Sequence, residues 1–320
     1  MRAAGWDTSV ATSDMKASDG LAGGGRVKNA ILIAGPTASG KSALALELAE
    51  REGGVVVNAD SMQVYSVLNV LTARPGADDE ARAPHLLYGH VAPSVAYSTG
   101  AWLRDVERLA EEGAFAGRPA VFVGGTGLYF RALAEGIAEM PDIPEAVRTF
   151  WRGELAVHGP GHLHAMLRSR DPRAAARLRP GDSQRIVRAL EVLDASDRSI
   201  LDWQAGRSRP LIDRASARFL VIEPERGALV RRIDARFDRM MEQGALEEVR
   251  RLVSLGLDSA LPAMKAIGVP ELGVALAGEL AMDEALARAK IATRQYAKRQ
   301  ATWFRHQLGP EWARLPLSAG

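Results

Sequence analysis

Ala30-Ile31-Leu32-Ile33-Ala34-Gly35-Pro36-Thr37-Ala38-Ser39-Gly40-Lys41-Ser42 is the stretch that decides the fold. Its first five residues are an apolar run short enough for one buried strand. Gly35 to Ser42 then match G-x-x-x-x-G-K-[ST], and Ala43, Leu44, Leu46 and Leu48 recur with helical spacing. Strand, glycine loop and helix in that order turn successive backbone N–H groups, and the positive end of the helix, toward a phosphate. Lys41 adds a point charge, and the Ser42 hydroxyl is a candidate ligand for Mg²⁺. The motif implies di- or triphosphate binding, of a nucleotide such as ATP or of another ligand. It does not imply hydrolysis.

Outward from this loop, Val55-Val56-Val57, Val121-Phe122-Val123 and Val221-Ile222 read as further buried strands, with helical patterns between them. Continuous apolar strands alternating with helices predict an α/β fold: a P-loop NTPase-like parallel sheet flanked by helices. Residues 226–256 and 279–305 read as two long amphipathic helices. The chain of 320 residues is long enough for this core and one more unit. Its 47% hydrophobic and 25% charged residues are ordinary globular proportions. No run of about eighteen apolar residues is present, which excludes a transmembrane helix.

The net charge of +2 conceals an uneven distribution. From Arg148 to Arg218 there are fourteen arginines, no lysine and eight acids, a balance of +6 that leaves −4 for the rest. No strand pattern occurs there. We expect an all-helical insertion at 141–214 dividing a catalytic core of 27–140 and 215–320. On charge alone, a solvated face and a surface for phosphates are equally good readings of the block. Residues 1–26 are rich in Gly, Ala, Ser and Asp, lack periodicity and are expected to be a disordered extension. They contain no apolar signal segment. Zero cysteines excludes disulfides and thiolate metal sites and fits a reducing, cytoplasmic setting. Among six histidines only His162 and His164 approach a ligand spacing, in a Gly/Pro-flanked stretch poorly suited to it.

Two strand ends carry further chemistry. Asn58-Ala59-Asp60-Ser61 follows the second strand, where open parallel sheets line their ligand crevice. Asp60 is either a helix cap or a general base for an acceptor nucleophile. Gly124-Gly125-Thr126-Gly127 follows the third strand. P-loop NTPases often carry a metal-binding Asp near this point, and here glycines and a hydroxyl replace it. Either a tight turn or a close approach of substrate to backbone explains them.

Together these segments resemble the bacterial tRNA dimethylallyltransferase (tRNA isopentenyltransferase) family. The resemblance covers about residues 29–306 and rests on six motifs in order: GPTASGKS, the NADS-x-Q-x-Y segment at 58–65, VGGTGLY at 123–129, DSQRIVRALE at 182–191, RIDARF at 232–237 and the closing TRQYAKRQ-x-TWFR. It implies a P-loop that binds dimethylallyl diphosphate, and transfer of the dimethylallyl group to N6 of adenosine 37 beside the tRNA anticodon. Asp60 matches the family's general base, Thr126 its substrate-orienting threonine and Arg236 an arginine on the diphosphate. Asp60, Ser61, Met62, Gln63, Thr126, Arg148, Gln184, Arg185, Ile186, Val187 and Arg188 match positions that touch tRNA. Gly35, Pro36, Thr37, Ala38, Ser39, Gly40, Lys41 and Ser42 would hold the diphosphate, with Mg²⁺ on Ser42. Where many members read Gly-Tyr followed by Arg or Lys, this chain has Gly268-Val269-Pro270.

The expected partners are the tRNA anticodon stem-loop and dimethylallyl diphosphate, without a membrane, and the chain is expected to be a monomer. Three rival readings are a P-loop small-molecule kinase, a prenyltransferase acting on free adenine nucleotides, and a nucleotide-switched RNA-binding module. The kinase would need ATP-dependent phosphorylation, the second would not need the arginine block, and the third would release no diphosphate.

Overall fold

The computed structural model describes residues 27–206 and 209–317, so the extension expected at 1–26 lies outside the described residues. Strands β1 (Ile31–Ala34), β2 (Val55–Asn58), β3 (His85–Leu86), β4 (Ala120–Gly124), β5 (Arg218–Pro224) and β6 (Ala313–Leu317) form one sheet in the order β3-β2-β4-β1-β5-β6. Every pairing is parallel.

Side chains alternate across this sheet as a pleat requires. Ile31, Ile33, Val121 and Val123 pack on one face with Leu44 and Leu48 of α1 (Lys41–Glu52). Leu32, Ala34 and Phe122 pack on the other with Trp102, Tyr129, Phe130 and Phe304. The helices that bring these last residues follow α2 (Ala77–Arg82): α3 (Thr99–Glu111) carries Trp102 and α4 (Gly127–Glu135) carries Tyr129 and Phe130. Both faces are covered, which is why the central strands read as unbroken apolar runs. The edge strands escaped that reading. β3 has two residues, and β6 reads Ala-Arg-Leu-Pro-Leu, with a proline that only an edge tolerates.

The chain divides into two compact units: one reaches Ala134 and resumes at Leu211, and the other is Glu135–Pro210. These borders differ from the expected 141 and 214. Leu211 N donates to Leu133 O at 3.1 Å, and Ile212 bridges to Val27, so residues from 211 onward belong with the sheet.

The smaller unit is built from α5 (Glu145–Arg170), α6 (Pro172–Ala175), α7 (Ser183–Ser196) and α8 (Ile200–Ala205). Helix α5 kinks at Gly159 (φ 74°), immediately before Pro160, whose missing N–H breaks the ladder. Trp151, Leu163 and Leu167 of α5 pack on Ile186 and Leu190 of α7. His164 Nε2 lies 3.1 Å from both Ala175 O and Leu178 O, which ties the ring to backbone.

In the larger unit, α9 (Arg226–Glu242) and α10 (Ala245–Ser254) replace the single helix expected over 226–256. Gly244, at φ 98°, breaks the helical course between them. With α11 (Val269–Leu276) and α12 (Met282–Gln307) they build a second apolar cluster around Leu68, Phe237, Val249 and Leu272. Glu248 of α10 is buried and accepts the N–H groups of Asn69, Val70 and Leu71 at 3.1, 2.7 and 3.0 Å. Three donors compensate a carboxylate taken out of water and pin the 69–71 loop. Among the described residues, no helix is long and apolar enough to cross a membrane.

Candidate active site

The loops after β1, β2 and β4 meet at the carboxyl ends of their strands. The loop between β1 and α1 turns through Ala38 (φ 61°) and Gly40 (φ 85°), left-handed backbone that frees its amides from regular pairing. Ala38, Ser39, Gly40, Lys41 and Ser42 line a cavity of about 470 Å³, opposite Arg236 and Arg239 of α9. Two features suit this cavity to an anion. The buried Ser39 Oγ has no hydrogen-bond partner. Lys41 Nζ reaches only Pro36 O, at 3.3 Å, and burial pulls its pKa down to about 8, with the Asp60 charge opposing and Arg236 assisting. Burial likewise lowers the pKa of Arg236, which donates a hydrogen bond to Thr72 O at 3.4 Å. Neither cation has an ion pair among the described residues.

A second cavity, of about 340 Å³, adjoins the first and shares Ala38, Arg236 and Met240 with it. Asp60, Ser61 and Met62 lie on one side, and Thr293, Tyr296 and Arg299 of α12 also line it. Leu71, Ile233, Phe237 and Ile267 supply apolar wall. The turn after β2 is held tightly. Asn58 is fully buried; its Oδ1 accepts Asp60 N at 2.8 Å, and its Nδ2 donates to Asp60 O and Leu87 O at 3.0 Å each. Trp102 Nε1 donates to Asn58 O at 2.8 Å. Asp60 Oδ1 accepts Met62 N at 2.9 Å, so Asp60 closes an Asx turn rather than capping a helix. Its Oδ2 has no protein donor among the described residues. Burial, then the Asp60 charge, raises the Tyr296 pKa, keeping that phenol protonated.

The structure thus brings Lys41, Ser42, Asp60 and Arg236 to two adjoining cavities. It treats other expected site residues differently. Gly35 and Pro36 line neither cavity; Gly35 packs over Ser39. Thr126 lines neither: its Oγ1 accepts Ser61 N at 2.9 Å and donates to Ser61 Oγ at 3.3 Å, which braces the Asp60–Ser61 turn. Gln63 Nε2 is engaged by Thr72 O and Ala73 O, at 2.9 and 3.0 Å, so its amide nitrogen is committed to backbone.

In the smaller unit, Ile186 and Val187 are buried among Trp151, Leu163 and Leu190. α7 turns these two side chains into its own core. Gln184 and Arg185 remain exposed and Arg188 is partly so. Arg185 pairs with Asp182 at 3.1 Å and Arg188 with Glu191 at 3.4 Å. The exposed Arg185–Asp182 pair is weak enough to exchange for phosphate, whereas Glu191 is buried beneath Arg188. Arg148 keeps a buried Nε without a partner. At 268–270, Gly268 (φ 98°) precedes Pro270 in the first turn of α11, so this segment starts a helix. Lys265, Ala266 and Ile267 before it line the second cavity.

Arg239, Thr293, Tyr296, Arg299 and Gln300 were not singled out from the sequence. The motif TRQYAKRQ held the last four, but helical spacing alone does not say which of its faces meets the loops.

Known proteins are similar to this chain over most of its length. The family profile described as IPP transferase matches residues 63–307, and one described as Isopentenyl transferase matches 28–84. The chain is 71% identical over 303 residues to a tRNA dimethylallyltransferase of Mesorhizobium japonicum, covering 95% of this chain and 94% of that protein. Among solved structures it is similar to the full-length tRNA isopentenylpyrophosphate transferase of Bacillus halodurans. That match has a TM-score of 0.63 and 31% identity, over 91% of each chain. It is also similar to a eukaryotic dimethylallyltransferase captured acting on tRNA (TM-score 0.75, 27% identity), over 90% of this chain and 73% of that one. With one profile spanning most of its length and a relative of such identity across nearly all of it, the chain belongs to the tRNA dimethylallyltransferase, or IPP transferase, family.

Proposed function

We propose that the protein transfers the dimethylallyl group of dimethylallyl diphosphate to N6 of adenosine 37, next to the anticodon of tRNA, acting as a monomer in the cytoplasm. The observation that carries this reading is the pair of adjoining cavities joined at Arg236, one lined by Lys41 and the other by Asp60. A leaving diphosphate and an acceptor amine need that juxtaposition, with an apolar wall between them for a five-carbon tail.

The adenine amine is a poor nucleophile because its lone pair is delocalised into the ring. As N6 bonds to C1 of the dimethylallyl group, the C1–O bond breaks and diphosphate leaves with the electron pair. The N6 proton passes to Asp60, whose Oδ2 is free to accept it. Lys41, Arg236 and the loop amides meet the negative charge that grows on the leaving group, in a site where little water screens them. Thr126 keeps the Asp60–Ser61 turn in place. The donor set fits Mg²⁺: the Ser42 hydroxyl and the Asp79 carboxylate line the first cavity, and a diphosphate would supply more hard oxygens. When bound, the ion would neutralise diphosphate charge. An adenine must leave its stack to reach the second cavity, at a cost of a few kcal/mol. Phosphate contacts by Arg185, Arg188, Arg148 and Gln184 would offset that cost.

The test is a paired assay on one preparation. Label transfer from radiolabelled dimethylallyl diphosphate to unmodified tRNA is followed beside phosphate release from ATP. Label in tRNA, with ATP at most a weak competitor that is not hydrolysed, is the expected result. ATP turnover stimulated by a small acceptor, with no label in tRNA, would overturn it in favour of a kinase.

A further inference from the structure

One buried amide links the two halves of this site. Gln300 of α12 is 5% exposed. Its Oε1 accepts Thr37 N at 2.9 Å, and its Nε2 donates to Gly125 O at 2.9 Å. Thr37 belongs to the loop that cradles the diphosphate. Gly125 belongs to the loop that braces Asp60 through Thr126. A Cβ on Gly125 would collide with Gln300 Nε2 and would lie 3.3 Å from Asp60 Oδ2. One turn further along α12, Trp303 lies so close to Gly127 that a Cβ there would strike its ring. Residues of one helix face therefore hold both loops.

We propose that Gln300 is a positioning residue for prenyl transfer, setting the distance between the diphosphate cradle and the Asp60 turn. This rests on the function proposed above. The amide is suited to the task because it offers one acceptor and one donor in a fixed plane, and each end meets a backbone group of the opposite kind. The Gly125 carbonyl is buried in this contact, so losing the amide leaves it without a partner, and the half-buried Thr37 N–H loses the group that fixes it. A misplacement of about 1 Å between reacting groups costs up to about 100-fold in rate. Gln300 itself touches neither the leaving group nor the acceptor in this scheme. Its loss should therefore lower kcat while leaving diphosphate affinity nearly intact.

Gln300→Met keeps the length and removes the hydrogen bonds to Thr37 and Gly125, together with the one to the Tyr296 side chain. We expect kcat in single-turnover label transfer to fall by about 10- to 100-fold. The Kd for dimethylallyl diphosphate should change by less than about threefold. Gln300→Glu supplies a sharper readout. Ionised, the side chain only accepts, and it faces Gly125 O with a negative charge; protonated, it regains one donor and one acceptor. Its rate, as a ratio to wild type, should climb as pH falls from 8 to 5.5. Lys41 in the first cavity, Asp60 beside Gly125, Arg236 of α9, and Tyr296 and Arg299 on α12 are common to both proteins, so the ratio reads what the substitution itself changes.

A Gln300→Met kcat within about twofold of wild type would overturn the inference. So would a rise in Kd with kcat unchanged, which would make Gln300 part of the diphosphate cradle alone. A Gln300→Glu ratio flat with pH would show that only side-chain shape matters. Should Gln300→Met fail to fold, Gln300→Glu at pH 5.5 carries the test; failure of both to fold would overturn it in favour of a purely structural role. Wild-type enzyme that transfers no label sinks the prenyl-transfer reading instead, so the two failures are distinguishable.

Discussion

The two units carry their positive charge under opposite conditions. In the sheet unit, Lys41 and Arg236 are desolvated and, among the described residues, neither has an ion pair, although the Asp60 charge acts on both. In Glu135–Pro210, several arginines of α5, α6 and α7 are exposed and paired: Arg170 with Asp194, Arg173 with Asp202 at 3.2 Å and Arg185 with Asp182, while the half-buried Arg188 pairs with Glu191. A desolvated cation gains most from one closely fitted anion, because little water screens the interaction. Solvated arginines act collectively, by displacing counterions from a polyanion, and each contributes modestly. On our reading, the same sign of charge thus serves chemistry in one unit and grip in the other.

The largest effect should come from breaking the chemical side of this contrast. Asp60→Asn keeps size and most of the turn but cannot take a proton. We expect kcat to drop by about 10²- to 10⁴-fold, with tRNA affinity little changed. Near-normal turnover would remove Asp60 from the base role. Next is Lys41→Met, which keeps the stem and removes the charge. A drop in kcat/KM of about 10²- to 10³-fold for dimethylallyl diphosphate is expected, the range for losing one electrostatic stabiliser of a leaving group. An equal loss at 50 mM and 500 mM salt would sharpen the contrast, since a buried site is poorly screened.

The pH dependence follows from the same residue. Burial disfavours the ammonium of Lys41, so the free protein loses that proton near pH 8. Bound diphosphate favours the ammonium and raises its pKa. Binding should therefore take up a proton above pH 8, and affinity should weaken with rising pH, by up to about tenfold per pH unit. Calorimetry in two buffers of different ionisation heat measures the uptake. Affinity that stays level from pH 7 to 10 would show that Lys41 keeps its charge without the ligand.

The smallest effects should lie in the other unit. Arg185→Ala and Arg188→Ala should each weaken tRNA binding severalfold and reduce its log–log salt slope by about one. Turnover at saturating tRNA should hold. An unchanged slope in both variants would make these arginines a solvated face.

Much of this was legible in the chain because it is local. Gly35 to Ser42 encodes a backbone path, and Ile31, Val56 and Val121 encode strands buried on both faces. What stayed illegible has physical causes. β3 and β6 are edge strands, with too little burial to leave an apolar run. The break at Gly244 interrupts a helical pattern that continues on either side of it. Ile186 and Val187 stand between Gln184-Arg185 and Arg188, and only the packing of α7 shows that they turn inward.

By itself, then, the sequence determined the glycine loop after β1, the parallel sheet, the basic block and the family. These depend on torsion, hydropathy and charge, which each residue carries with it. Tertiary structure alone decided which distant side chains complete the site. Gln300 meets Thr37 across 263 residues, and Arg236 meets Thr72 across 164. No local rule specifies such meetings: they exist because α9 and α12 bury one face each against the rest of the fold, and burial selects the polar groups that must find one another there.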